Sequence, residues 1–100
     1  MTPLDKLSDL RERIDAVDAS LIRLLAERFA LTETVGTIKA ENGLSAEDAE
    51  RERWQRERYA ALATSHRLRV DVALQVMGAI VELVKNRHVA LAEPASRPRS

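Results

Sequence analysis

Residues 4–42 form a proline-free run with an apolar position at regular heptad spacing, and this run constrains the fold more than any other feature of the chain. Leu7, Ile14, Leu21, Arg28 and Val35 alternate with Leu10, Val17, Leu24, Leu31 and Ile38, the spacing of a coiled-coil seam on one long helix. Arg28 breaks the stripe, because a cation stands where a hydrophobe belongs. Arg11 and Lys39 flank the same stripe, each four residues after an apolar member. A helix over this run is about 58 Å long, whereas a compact chain of this size is only about 33 Å across. One copy cannot cover its own seam, so a two-fold homodimer of paired long helices is expected.

The three cations fit an antiparallel pair. Arg11 and Arg28 stand about 25 Å apart along the axis, and Arg28 and Lys39 about 16 Å apart. Pairing about a centre near residue 22 brings the partner's Arg11 beside the 28–39 segment. Two equivalent cationic pockets, each built from both chains, are the expected product.

Composition narrows the class. Forty-five per cent apolar and 32% charged residues suit one globular domain, expected over residues 1–92, and three aromatics with three glycines argue against a β-sandwich. Sixteen basic residues balance sixteen acidic ones, so no global field attracts nucleic acid or a membrane surface. Without cysteine there is no disulfide, thiolate ligand or cysteine nucleophile. Asp5, Lys6, Asp9, Arg11, Glu12 and Arg13 exclude a signal-peptide core at the start, and no apolar run is long enough to span a bilayer. A cytoplasmic location is expected.

In chain order, Thr2 suits an N-cap and Pro3 the first helical position. Asn42 and Gly43 form a stop signal, and Gly36 inside the helix suggests close backbone approach to another helix or a ligand. Ser45, with Glu47 and Asp48 behind it, reads as the start of a short second helix. Nine of the twelve residues 47–58 are charged, which predicts a solvated strut with i,i+4 pairs Glu47–Arg51 and Glu52–Arg56, anchored by Trp54 and Tyr59. Residues 64–69 read as a polar turn with His66 at the surface. Residues 70–92 form a third, medium-length and most apolar helix, expected to pack on more than one side. Residues 93–100, with Pro94 and Pro98, read as a disordered tail. The fold class is all-α, with one long, one short and one medium helix in an intertwined homodimer.

No familiar catalytic apparatus is present. His66 and His88 lack ligand spacing, and there is neither a glycine-rich phosphate loop nor a nucleophile elbow. The chain nevertheless resembles the small all-helical chorismate mutases over residues 7–91. The resemblance rests on Leu10-Arg11-Glu12-Arg13-Ile14 with Asp18, Leu25-Ala26-Glu27-Arg28, Val35-Gly36 followed by Lys39, and Asp48-Ala49-Glu50-Arg51-Glu52-Arg53. It implies an intramolecular Claisen rearrangement of chorismate to prephenate, without metal, cofactor or covalent intermediate.

The resemblance also implies residue roles. Arg11 of the partner and Arg28 would bind the carboxylates of a small dicarboxylate substrate, with Arg51 adding positive charge. Lys39 would donate to the ether oxygen, and Glu52, with Asp48, would hold the ring hydroxyl. Two positions on the third helix depart from the best-known members, Val84 replacing a serine and His88 a glutamine beside the ether oxygen. His88 is expected to be the second donor there, more effective as imidazolium than as neutral imidazole.

Residue types alone would place Arg28 as a device setting register, Arg11 and Lys39 as solvated flank charges, Val84 as core and Trp54 as packing. A sibling activity, isochorismate pyruvate lyase or a mutase of the 4-amino analogue, is the nearest alternative. A non-catalytic dimerisation module binding an anion is a second. Regulation by a partner enzyme of the same pathway is a further expectation.

Overall fold

Thr2 and Asp5 cap each other at the start of the first helix. The Thr2 Oγ1 accepts from the Asp5 N–H at 3.1 Å, and Asp5 Oδ2 accepts from the Thr2 N–H at 3.2 Å, a reciprocal box that satisfies two donors with no partner inside the helix. The Thr2 hydroxyl, donating to Asp5 Oδ2 at 2.8 Å, and then the Thr2 N–H hold the Asp5 carboxyl below its ordinary value. Pro3 follows as the first helical residue, as expected. The computed structural model describes residues 1–92, arranged as α1 (Pro3–Glu41), α2 (Ala49–Ser65) and α3 (Val70–Ala92). There is no strand among the described residues, so the all-α, three-helix expectation holds; the expected tail lies outside the described residues.

α1 ends where Gly43 adopts φ 64°. The Leu44 N–H returns to the Lys39 carbonyl at 2.8 Å and the Gly43 N–H to the Ala40 carbonyl at 3.4 Å, the paired bonds of a Schellman cap. α2 ends in the same motif with a different residue at the left-handed position. Arg67 has φ 58°, while the Leu68 N–H bonds the Ala63 carbonyl at 2.8 Å and the Arg67 N–H the Thr64 carbonyl at 3.2 Å.

The chain divides into two compact units, one over Met1–Leu31 and one beginning at Thr32. The first is the opening three-quarters of α1. Its seam is open: Leu7, Leu10, Ile14, Val17, Leu21, Leu24 and Leu31 each expose between 46% and 69% of their surface. A single helix has no second apolar face against which to bury such a stripe.

The second unit contains the end of α1 with α2 and α3, and α2 packs along α3. Its interior is built from small residues, with Gly36, Ala63 and Ala73 buried, which lets helix backbones approach closely. α3 meets α2 and, through Arg87 and His88, the end of α1, while Val72, Val76, Leu83 and Val89 remain exposed.

Two helix-boundary expectations are corrected. α2 begins at Asp48 and not at Ser45: Asp48 Oδ1 accepts from the Arg51 N–H at 3.0 Å, while the Ser45 hydroxyl is occupied in the preceding turn by the Glu47 N–H at 3.1 Å. Thr64 and Ser65 belong to α2, since their hydroxyls donate to the Ala60 and Leu62 carbonyls at 3.1 and 2.9 Å and leave the ladder intact. Trp54, expected as a packing anchor, is 49% exposed, with the guanidinium groups of Arg51 and Arg58 4.6 and 5.5 Å from its ring centre.

Candidate active site

The end of α1 and the end of α3 meet at Gly36. A β-carbon on Gly36 would stand 2.6 Å from Cδ2 and 3.0 Å from Nε2 of His88, and 2.8 Å from a methyl of Leu91, so the close approach expected of this glycine is realised. His88 is buried, and its Nε2 lies 2.7 Å from the Thr32 carbonyl, to which it donates. The neighbouring Arg87 grips the same turn of α1, with Nε and Nη2 both 2.7 Å from Glu33 Oε1. Consecutive residues of α3 thus clasp consecutive residues of α1. With Nε2–H committed to a carbonyl, the neutral imidazole presents Nδ1 as an acceptor, and only the imidazolium has a second N–H to offer.

Lys39 is half-buried one turn after Gly36, at the helix end whose dipole favours a cation. Across the loop, the N-terminal turn of α2 carries Asp48, Arg51 and Glu52. Asp48 is the exposed N-cap, its carboxylate already accepting the Arg51 N–H. The exposed Arg51 lies over Trp54. Glu52 is half-buried and turns toward α3, where Lys85 Nζ sits 3.3 Å from its Oε1 and 3.5 Å from Glu47 Oε1. Both glutamates therefore pair with α3 and not along α2 as expected; Glu47 lies before the helix begins, where no i,i+4 partnership exists. The hydrogen bond to Glu52 and its charge, followed by those of Glu47, push the Lys85 ammonium pKa up.

Glu52 and Lys85 line a cavity of about 400 Å³ between α2 and α3, shared with Gln55, Tyr59, Val81 and Glu82. Lys39, Val84 and His88 are not among its lining residues. Val84 is half-buried on the same face of α3 as His88. Arg11, exposed, and Arg28, half-buried, belong to the first unit. Lys39, Asp48, Arg51, Glu52 and His88 all belong to the second unit, where the structure pairs Glu52 with Lys85 and His88 with the Thr32 carbonyl, two partners that sequence reasoning missed. In the sequence Lys85 is marked only as one of two cations, with Arg87, in the most apolar helix. Thr32 contributes a backbone carbonyl, which no side-chain pattern reveals.

This set of residues supplies fixed positive charge, two carboxylates and an imidazole, with no nucleophile flanked by a base among them. It suits a reaction governed by binding and electrostatics. Residues 10–89 match the family model for chorismate mutase type II, and the chain belongs to that family.

Among individual proteins, the chain is 29% identical over 79 residues to the chorismate mutase of Methanocaldococcus jannaschii, an alignment covering 79% of this chain and 80% of that protein. It is 37% identical over 82 residues to the bifunctional chorismate mutase/prephenate dehydratase of Escherichia coli K12, covering 82% of this chain and 21% of that one. It is 42% identical over 52 residues to the T-protein of Haemophilus influenzae, covering 52% of this chain and 14% of the relative. The chain therefore spans most of the first relative and about a fifth or less of the other two. No helix among the described residues is long and apolar enough to cross a membrane.

Proposed function

We propose that the chain is a chorismate mutase that rearranges chorismate to prephenate. The observation that carries this reading is the family match over residues 10–89, which contains all eight residues singled out by sequence: Arg11, Arg28, Lys39, Asp48, Arg51, Glu52, Val84 and His88. In the reaction one C–O bond of the enol ether breaks and one C–C bond forms within a single molecule, with no proton or electron exchanged with the protein. Negative charge grows on the ether oxygen as the C–O bond lengthens. An ammonium fixed beside that oxygen stabilises the transition state more than the ground state.

Lys39 supplies that ammonium in this reading. Arg28 and the partner's Arg11 hold the two carboxylates, and their forked geometry keeps the enolpyruvyl arm folded over the ring. Arg51 adds positive charge, and Glu52, with Asp48 nearby, accepts the ring hydroxyl. Val84 borders the site as an apolar wall. His88 donates to the ether oxygen through Nδ1 when protonated, while Nε2–H stays on Thr32.

The open seam of residues 7–31 supports an antiparallel homodimer, in which each copy covers the stripe of the other and lends its Arg11. A cytoplasmic location accompanies this role. The name of the Escherichia coli relative joins the mutase to prephenate dehydratase, and an enzyme that consumes prephenate is the corresponding candidate for a regulatory partner here. A rise in mutase rate on adding such an enzyme supports that partnership, and an unchanged rate removes it.

The test of the function is loss of chorismate absorbance with chromatographic identification of the product, for wild type and Lys39→Ala in parallel. Prephenate from the wild type and a fall in kcat of about a hundredfold or more in the variant are expected. Turnover of isochorismate alone would instead favour the lyase activity, and binding without turnover the anion-binding module.

A further inference from the structure

Lys85 lies one turn before His88 on α3 and turns toward α2. Its ammonium reaches Glu52 Oε1 at 3.3 Å and Glu47 Oε1 at 3.5 Å, and the side chains of Lys85 and Glu52 each keep 27% of their surface exposed. Both line the cavity between α2 and α3. A ligand group arriving at Glu52 therefore meets a carboxylate with an ammonium already beside it.

A hydroxyl and a protonated amine respond differently to that arrangement. The hydroxyl donates its hydrogen to the carboxylate, and its oxygen still accepts from the lysine. An alkylammonium is drawn to the carboxylate but stands against a like charge, and it has no lone pair to accept what Lys85 donates. We propose that Lys85 determines substrate specificity: it makes the Glu52 end of the site accept a ring bearing a hydroxyl and reject one bearing an ammonium. The proposal rests on the mutase reading of Glu52 and deepens it. Like-charge opposition of this kind is a means of selecting against a near-isosteric competitor.

The deciding experiment compares kcat/KM for chorismate and for 4-amino-4-deoxychorismate, whose ring carries the amine in place of the hydroxyl. Where the amino compound turns over too slowly, its inhibition constant against chorismate replaces kcat/KM. The proteins are wild type, Lys85→Met, Lys85→Gln and Lys85→Arg, each checked for folding by circular dichroism. Wild type should prefer chorismate, and removing the charge in Lys85→Met or Lys85→Gln should move the ratio toward the amino compound by about tenfold or more. Lys85→Arg, which keeps the charge, should leave the ratio within about threefold of wild type.

A lysine that only supported the fold would lower both substrates alike. An unmoved ratio in folded Lys85→Met or Lys85→Gln, with chorismate still converted by wild type, overturns the specificity role and leaves the mutase reading standing. Wild type that converts and binds neither compound overturns both.

Discussion

The His88 imidazole lies over Gly36 so closely that a β-carbon there would stand 2.6 Å from its Cδ2. Gly36→Ala gains about 1 kcal/mol in helix propensity but forces His88 and Leu91 to move, an overpacking cost of about 1–3 kcal/mol. A net loss of about 1 kcal/mol is expected. In a His88→Ala background the ring is gone and Leu91 is free to rotate, so the same substitution should become neutral or stabilising. Denaturant unfolding of the four proteins of that cycle reads the coupling directly.

The commitment of His88 Nε2 to the Thr32 carbonyl at 2.7 Å gives the proposed donor role a pH signature. A second N–H exists only on the imidazolium, so a donating His88 requires kcat to be higher at about pH 5 than at about pH 8.5. His88→Gln should flatten the profile, because an amide donor does not titrate in that range. A flat wild-type profile together with an active His88→Ala would remove His88 from the chemistry and leave it as the clasp between α3 and α1.

Arg67 occupies the left-handed position of the cap on α2, with φ 58°. A side chain with a β-carbon costs about 1–2 kcal/mol there. Arg67→Gly removes the strain but makes the unfolded chain more flexible, leaving an expected net gain of about 0.5–1 kcal/mol. The thermal midpoint, measured at fixed chain concentration, should rise by a few degrees, about 2–8 °C.

The open seam around the proposed two-fold centre makes Leu21 a sensitive position, because a symmetric pair feels the change in both copies. Leu21→Glu should convert the dimer to monomer or unfold the chain, as read by light scattering and circular dichroism. Unaltered dimer mass with intact helicity would exclude antiparallel pairing through this stripe. A wild-type monomer at tens of micromolar would exclude the dimer itself.

Much of the architecture was legible because helix limits are set by neighbours within a turn. Thr2, Pro3 and Asp5 cap locally, Gly43 stops α1 locally, and the predicted run of 4–42 agrees with Pro3–Glu41 to one residue at each end. The misread boundaries were also local, but each involved a choice. Ser45 and Asp48 are both good caps, and the path of the loop selected Asp48. Thr64 and Ser65 look like turn residues until their hydroxyls bond back to the ladder.

The candidate site was legible only in part. The motifs around Arg11, Arg28, Lys39 and Glu52 survive as short strings, and they were enough to suggest the family that the match over residues 10–89 then established. The exposure of Trp54 was not legible, because a large aromatic is ordinarily buried and this one is flanked by cations.

By itself, then, the amino-acid order determined three helices, a stripe too long for one copy to bury, and the residue types of a cationic site. Capping bonds and side-chain periodicity operate over at most four residues, so they can be read along the chain. Tertiary structure alone decided that Lys85 pairs with Glu47 and Glu52, and that His88 seats on Gly36 and Thr32. Those partners lie more than thirty residues apart in sequence. Their meeting depends on how the helices of the second unit pack, which follows from the small residues Gly36, Ala63 and Ala73 between them and not from the pattern along any one helix.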